Sequence, residues 1–161
     1  MSKIIQLKDR EVQLNFDEID NLDLESVLTI DYINLKEDIQ GFPFVVNQLN
    51  FLVVEANSIL NKDKFQLEIL NSNLDEEKAK LFLKIKKELI DKGEKNPTIS
   101  LIENQVKLED SYKQIAESIF CQKKKIAEDE KNRDYLSGLY WAASSKMNLL
   151  VNLSKSIIEN V

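Results

Sequence analysis

The chain has 161 residues, with 22 Lys+Arg, 28 Asp+Glu, one Cys, three Gly, two Pro and no His, a length that suits one domain carrying an arm. The lack of histidine excludes Ser-His-Asp and Cys-His catalysis, His-bearing zinc sites and the Glu-x-x-His di-iron pattern of helical bundles. The net charge of −6 sits in residues 1–42, which hold 4 basic and 10 acidic side chains; residues 43–161 are balanced at 18 of each, so the acidity argues against phosphate binding only for the first quarter.

Residues 3–16 read KIIQLKDREVQLNF. Val12, Leu14 and Phe16 alternate with polar residues, the period of a half-buried strand, and Ile4, Ile5 and Leu7 are placed to pair with them across residues 8–10. A small β-hairpin arm is therefore expected. From Asp20 the period turns helical through Leu24, Val27, Leu28, Ile30, Ile33 and Leu35, a short N-terminal helix that Gly41-Phe42-Pro43 should stop.

From Pro43 to Lys92 there is no Gly and no second Pro, and apolar residues recur in steps of three and four from Val46 and Leu49 to Ile85 and Leu89. That spacing predicts one amphipathic helix, with a break or kink where Asn71-Ser72-Asn73 precedes Asp75-Glu76-Glu77. Gly93 to Pro97 is a turn, with glycine as C-cap and proline barring continuation. Thr98 or Ser100 then caps a second helix, expected from about residue 99 to Glu159. From Leu108 a heptad seam runs through Tyr112, Ile115, Ile119, Gln122, Ile126, Asp129, Arg133, Leu136, Tyr140, Ala143, Met147 and Leu150. The expected fold is all-α: a short acidic N-terminal segment (residues 1–42) and a long antiparallel helical hairpin (residues 43–161).

Folding that hairpin about residue 95 brings together residues whose numbers sum to about 190. Lys78, Lys80, Lys84 and Lys87 then lie along Glu103, Glu109 and Asp110, and the helical seam loses its apolar character at Gln122, Asp129 and Arg133, opposite Lys62, Asp63 and Lys64. A polar gap in a long seam is either an internal ion network that sets register or an exposed working surface. As a surface it gives a basic band of Lys62, Lys64, Lys123, Lys124, Lys125, Lys131 and Arg133, diluted by Glu128, Asp129, Glu130 and Asp134. Tyr135, Tyr140 and Trp141 follow beside Gly138; aromatics among cations suit base stacking, and on a seam they equally suit core or subunit packing.

Little else carries chemistry. Three isolated glycines make no phosphate loop, no Asp-x-Asp-x-Asp-Gly calcium loop occurs, and the acid pairs lie in charged helical stretches. Cys121 reads as a small hydrophobe. No catalysis, metal or cofactor is expected. The longest apolar run, Phe51-Leu52-Val53-Val54, is far short of the roughly 20 residues that span a bilayer; with a lone cysteine and no signal-like leader, a cytoplasmic protein is expected.

Lys86-Lys87-Glu88-Leu89 running into Gly93, then Thr98-Ile99, Ile102-Glu103, Val106 and Asp110, then Tyr140-Trp141, Lys146 and Leu150, give residues 20–157 a pattern that resembles phage recombination mediators of the UvsY type. The resemblance implies a non-enzymatic homo-oligomer that binds single-stranded DNA and helps a recombinase displace the single-strand-binding protein in the host cytoplasm. It also implies DNA contacts from the basic stretch before the turn, here Lys84, Lys86 and Lys87. Where that family has an aromatic pair before the turn glycine, this chain has Leu89-Ile90-Asp91. Together with the mid-hairpin cations, the candidate DNA-binding set is Lys84, Lys86, Lys87, Lys123, Lys124, Lys125, Lys131 and Arg133. The rival expectation is a structural or adaptor subunit of a phage assembly that uses the hairpin for protein contacts alone.

Overall fold

A computed structural model describes residues 2–7, 10–15 and 35–159, with side chains from 39 to 155. Strands β1 (Ser2–Leu7) and β2 (Arg10–Asn15) form an antiparallel ladder in which Ile5 opposes Val12 and Ile4 opposes Gln13. Three helices follow: α1 (Leu35–Asp91), α2 (Ile99–Val106) and α3 (Asp110–Glu159). Most of the short N-terminal helix expected from Asp20 lies outside the described residues.

The expected stop at Gly41-Phe42-Pro43 does not occur, because α1 passes through Pro43. Proline inside a helix removes the hydrogen bond to the carbonyl four residues back and costs about 3 kcal/mol. That cost is offset here by burial on both sides of it: Phe42 and Val45 are fully buried, and Val46 and Leu49 nearly so, each such side chain contributing roughly 1.5–3 kcal/mol. The break or kink expected at residues 71–75 is likewise absent as a break, since α1 continues through it.

The turn after α1 follows the sequence expectation. Gly93 has φ +101°, its N–H donates to the Ile90 carbonyl (3.0 Å), and the Glu94 N–H donates to the Leu89 carbonyl (3.1 Å), the paired bonds of a Schellman cap. Thr98 caps α2, its Oγ1 accepting from the Leu101 N–H at 3.3 Å. Gly93→Ala places a Cβ in the left-handed region and is expected to lower the unfolding free energy by about 1–2 kcal/mol in a urea melt. Thr98→Ala should lower it by about 1 kcal/mol.

One helix was expected from residue 99 to 159, and the chain instead breaks at residues 107–109. The Leu108 N–H donates to the Gln105 carbonyl (3.0 Å) and the Glu109 N–H to the Val106 carbonyl (3.2 Å), tight i→i+3 bonds of the 3₁₀ kind. Val106 and Tyr112 both pack on one buried cluster, yet six residues of uninterrupted α-helix set them about 120° apart. Three tighter residues advance the chain by roughly 20° more apiece and bring both onto the same side. The cost falls on Leu108, assigned by spacing to the seam but 67% exposed at the turn.

The chain divides into two compact units, Met1–Leu60 with Glu128–Val161, and Asn61–Ala127. In the first, α1 contributes Phe42, Val45, Val46, Leu49, Leu52 and Ala56 and α3 contributes Leu136, Leu139, Ala143 and Leu150 to one core. In the second, Leu81, Ile85 and Leu89 of α1 meet Ile102 and Val106 of α2, with Phe82 and Tyr112 against them. No helix among the described residues is long and apolar enough to cross a membrane.

Candidate nucleic-acid interface

Charge separates the two units. Asn61–Ala127 holds 14 lysines against 12 carboxylates, a net +2, so the remainder, at 8 basic against 16 acidic, carries −8. The candidate cations must therefore be sorted by what each already holds.

In this second unit, Lys78 pairs with Glu103 (3.5 Å), and Lys84 lies 3.9 Å from both Glu88 and Glu109. Two of the cross-hairpin pairings expected from residue numbers are thus present, although such exposed pairs contribute only about 0–1 kcal/mol. Lys86 and Lys87 point away from α2 and α3: both are exposed and neither makes an ion pair among the described residues. The reason is helical spacing. Ile85 and Leu89 are buried, which leaves Lys86 and Lys87 on the solvent side of the same turns.

On α3 the Lys123-Lys124-Lys125 run splits by the same geometry. Asp63 of α1, 9% exposed, accepts at Oδ1 from Lys125 Nζ and from Gln122 Nε2, both at 3.0 Å, and its backbone carbonyl also accepts from Gln122 Nε2 at 3.0 Å. Gln122 and Lys125 are three residues apart and share the face that meets α1. The polar position in the seam at Gln122 is therefore filled by an internal hydrogen-bonded node that fixes register, and Lys125 is committed to it. Lys123 and Lys124 are exposed and form no ion pair among the described residues. Lys124 Nζ lies 4.7 Å from the ring centroid of Phe120, a cation–π contact. Lys62 and Lys64 are exposed on α1.

Asp63→Ala removes the acceptor that Gln122 and Lys125 share and is expected to cost about 1–3 kcal/mol of stability by chemical denaturation. Lys125→Ala should cost less than Asp63→Ala, because Gln122 still donates to Asp63 and the Lys125 side chain is already 54% exposed.

The last two candidates belong to the first unit. Lys131 is exposed, and half-buried Arg133 donates from Nη2 to Asp134 Oδ1 at 2.8 Å. The aromatics there divide: Tyr135 and Tyr140 pack against the core, whereas Trp141 is 67% exposed and meets the Tyr140 ring edge-on at a centroid separation of 5.3 Å. Sequence reasoning weighed those three rings and passed over the partnership of Phe120 with Lys124, although the i, i+4 spacing on one helix signals it.

Among the described residues no group of three or more His, Cys, Asp or Glu is placed to hold a metal ion. No protein-family model, curated protein or solved structure matches the chain.

Proposed function

We propose that the protein binds single-stranded DNA without catalysing a reaction on it, acting as a homo-oligomeric recombination mediator that assists a recombinase against single-strand-binding protein. The observation that carries the proposal is the sorting of the lysines. In a unit of net charge +2, Lys86, Lys87, Lys123 and Lys124 are exposed without an ion pair among the described residues, while Lys84 and Lys125 contact carboxylates. Cations that neutralise no carboxylate are the ones able to release counterions from a phosphate backbone. A non-catalytic role agrees with the chemistry of the chain, whose carboxylates lie mainly on solvated helix faces.

The test is fluorescence anisotropy with a labelled fifty-base oligo-dT between about 50 and 200 mM salt, the window over which phosphate-dominated binding weakens steeply. Binding that is insensitive to base sequence and falls with salt is expected. Absence of binding at the low-salt end would sink the proposal.

A second function has its own support. Phe44, Phe51, Leu149 and Trp141 are large apolar side chains left exposed in the first unit, and such surface commonly marks a protein contact. A structural or adaptor subunit of a phage assembly would use it without nucleic acid. Light scattering above the 18.7 kDa chain mass with no oligonucleotide binding would favour that function.

A further inference from the structure

We infer that Phe120 is a stacking platform for an unpaired nucleobase and that Lys124 and Lys123 are its phosphate clamp, a site that rests on the DNA-binding function proposed above. Phe120 sits on α3 with 58% of its surface exposed, although Ile119 and Ile126 on the same helix are buried. Exposing a phenyl ring forfeits roughly 1.5–3 kcal/mol of burial, and no polar atom of the side chain compensates for it. The ring is not idle, because Lys124 Nζ is held 4.7 Å from its centroid. The contact orients the ammonium beside the ring while much of the aromatic surface stays open to solvent.

That pairing matches the two halves of a nucleotide. A base supplies a π face that stacks on an aromatic ring whatever its sequence, and the phosphate attached to it needs a cation within reach. Lys123 and Lys124 follow Phe120 by three and four residues, so both lie on the same helix face, one turn toward the C-terminus. Within a turn of the ring in either direction the only carboxylate on the helix is Glu117, on the N-terminal side. The backbone of a bound strand is therefore drawn to the lysine side of the ring. The register node strengthens the arrangement: Lys125 and Gln122 hold Asp63, which pins the α3 turn that carries Lys123 and Lys124 and keeps the adjacent cations from that carboxylate.

The experiment compares anisotropy titrations of a thirty-base oligo-dT and an abasic strand of equal length, using the unmodified protein, Phe120→Ala, Phe120→Tyr and Lys124→Ala. Phe120→Ala should weaken oligo-dT binding about 5- to 100-fold, the range for loss of one stacked base, and leave abasic binding within about twofold. Phe120→Tyr, which keeps the ring, should stay close to the unmodified protein on both strands. Lys124→Ala should weaken both strands and flatten the salt dependence by about 0.7 in log–log slope. Circular dichroism controls for folding. If the unmodified protein binds oligo-dT and Phe120→Ala binds it equally well, or loses the abasic strand to the same extent, the stacking site is overturned while DNA binding stands. If Phe120→Ala leaves binding intact and changes the mass in light scattering, the ring serves a protein contact and the site is likewise overturned. Failure of the unmodified protein to bind either strand overturns the site and the DNA-binding function together.

Discussion

Leu136→Ala will lower the unfolding free energy by about 2–5 kcal/mol. The side chain is fully buried in the core of the first unit, where α3 lays it among the α1 residues Phe42, Val45, Leu49 and Leu52. Truncation loses the transfer free energy of the removed methyl and methylene groups and leaves a cavity that close-packed neighbours fill only in part. Leu52→Ala, at an equally buried position, will cost a similar amount, and the double variant will depart from additivity because both residues serve one cluster. A urea melt measures each as a lowered midpoint. Trp141→Ala, exposed on the same helix, should change stability by no more than about 0.5 kcal/mol in the monomer. A Trp141 effect as large as that of Leu136 would mean that a second chain covers the ring in solution.

The second large effect concerns the salt dependence of DNA binding. Combining Lys86→Ala, Lys87→Ala, Lys123→Ala and Lys124→Ala should flatten the log–log salt slope by about 3, at roughly 0.7 per lost single-strand phosphate contact. Stability should stay within about 0.5 kcal/mol, since none of the four makes an ion pair among the described residues. Lys84→Ala with Lys125→Ala is the matched control. Both residues contact carboxylates, so their loss should alter the slope little, while the Lys125 change costs some stability through Asp63. An equal flattening in control and quadruple variant would show that exposure and pairing do not select the DNA-contacting lysines.

Much of the helical architecture is legible in the sequence because periodicity is a direct projection of burial. Every apolar residue in the three- and four-residue steps from Val46 to Leu89 is buried or half-buried, and Gly93 with Thr98 marks the turn through its caps. What failed were local rules overridden by tertiary packing. Pro43 reads as a helix stop by its missing N–H, and neighbours on both sides hold the helix through it. Leu108 reads as a seam residue by counting from Tyr112, and a tighter turn that aligns Val106 with Tyr112 ejects it.

The site was legible in part. Residue-number pairing placed Lys78 and Lys84 near Glu103 and Glu109 and put Asp63 opposite Gln122, yet composition treated Lys123, Lys124 and Lys125 as equivalent. Their difference is angular: one lysine of the three faces α1 and the other two do not. Exposure of Phe120 was illegible for a related reason, since an apolar residue one position off a seam looks the same whether a neighbour covers it or not.

The two buried clusters share no residue: one is built around Leu52 and Leu136, the other around Ile85 and Ile102. Cooperativity in unfolding comes from shared burial, and where burial is partitioned the chain opens in parts. Amide protection therefore should fall into two classes, one rising with each cluster, and a substitution in one should lower protection chiefly within its own class. Leu136→Ala will then leave the amides around Ile85 almost as slow to exchange as before, so the segment bearing the unpaired lysines keeps its fold while the other half of the chain breathes.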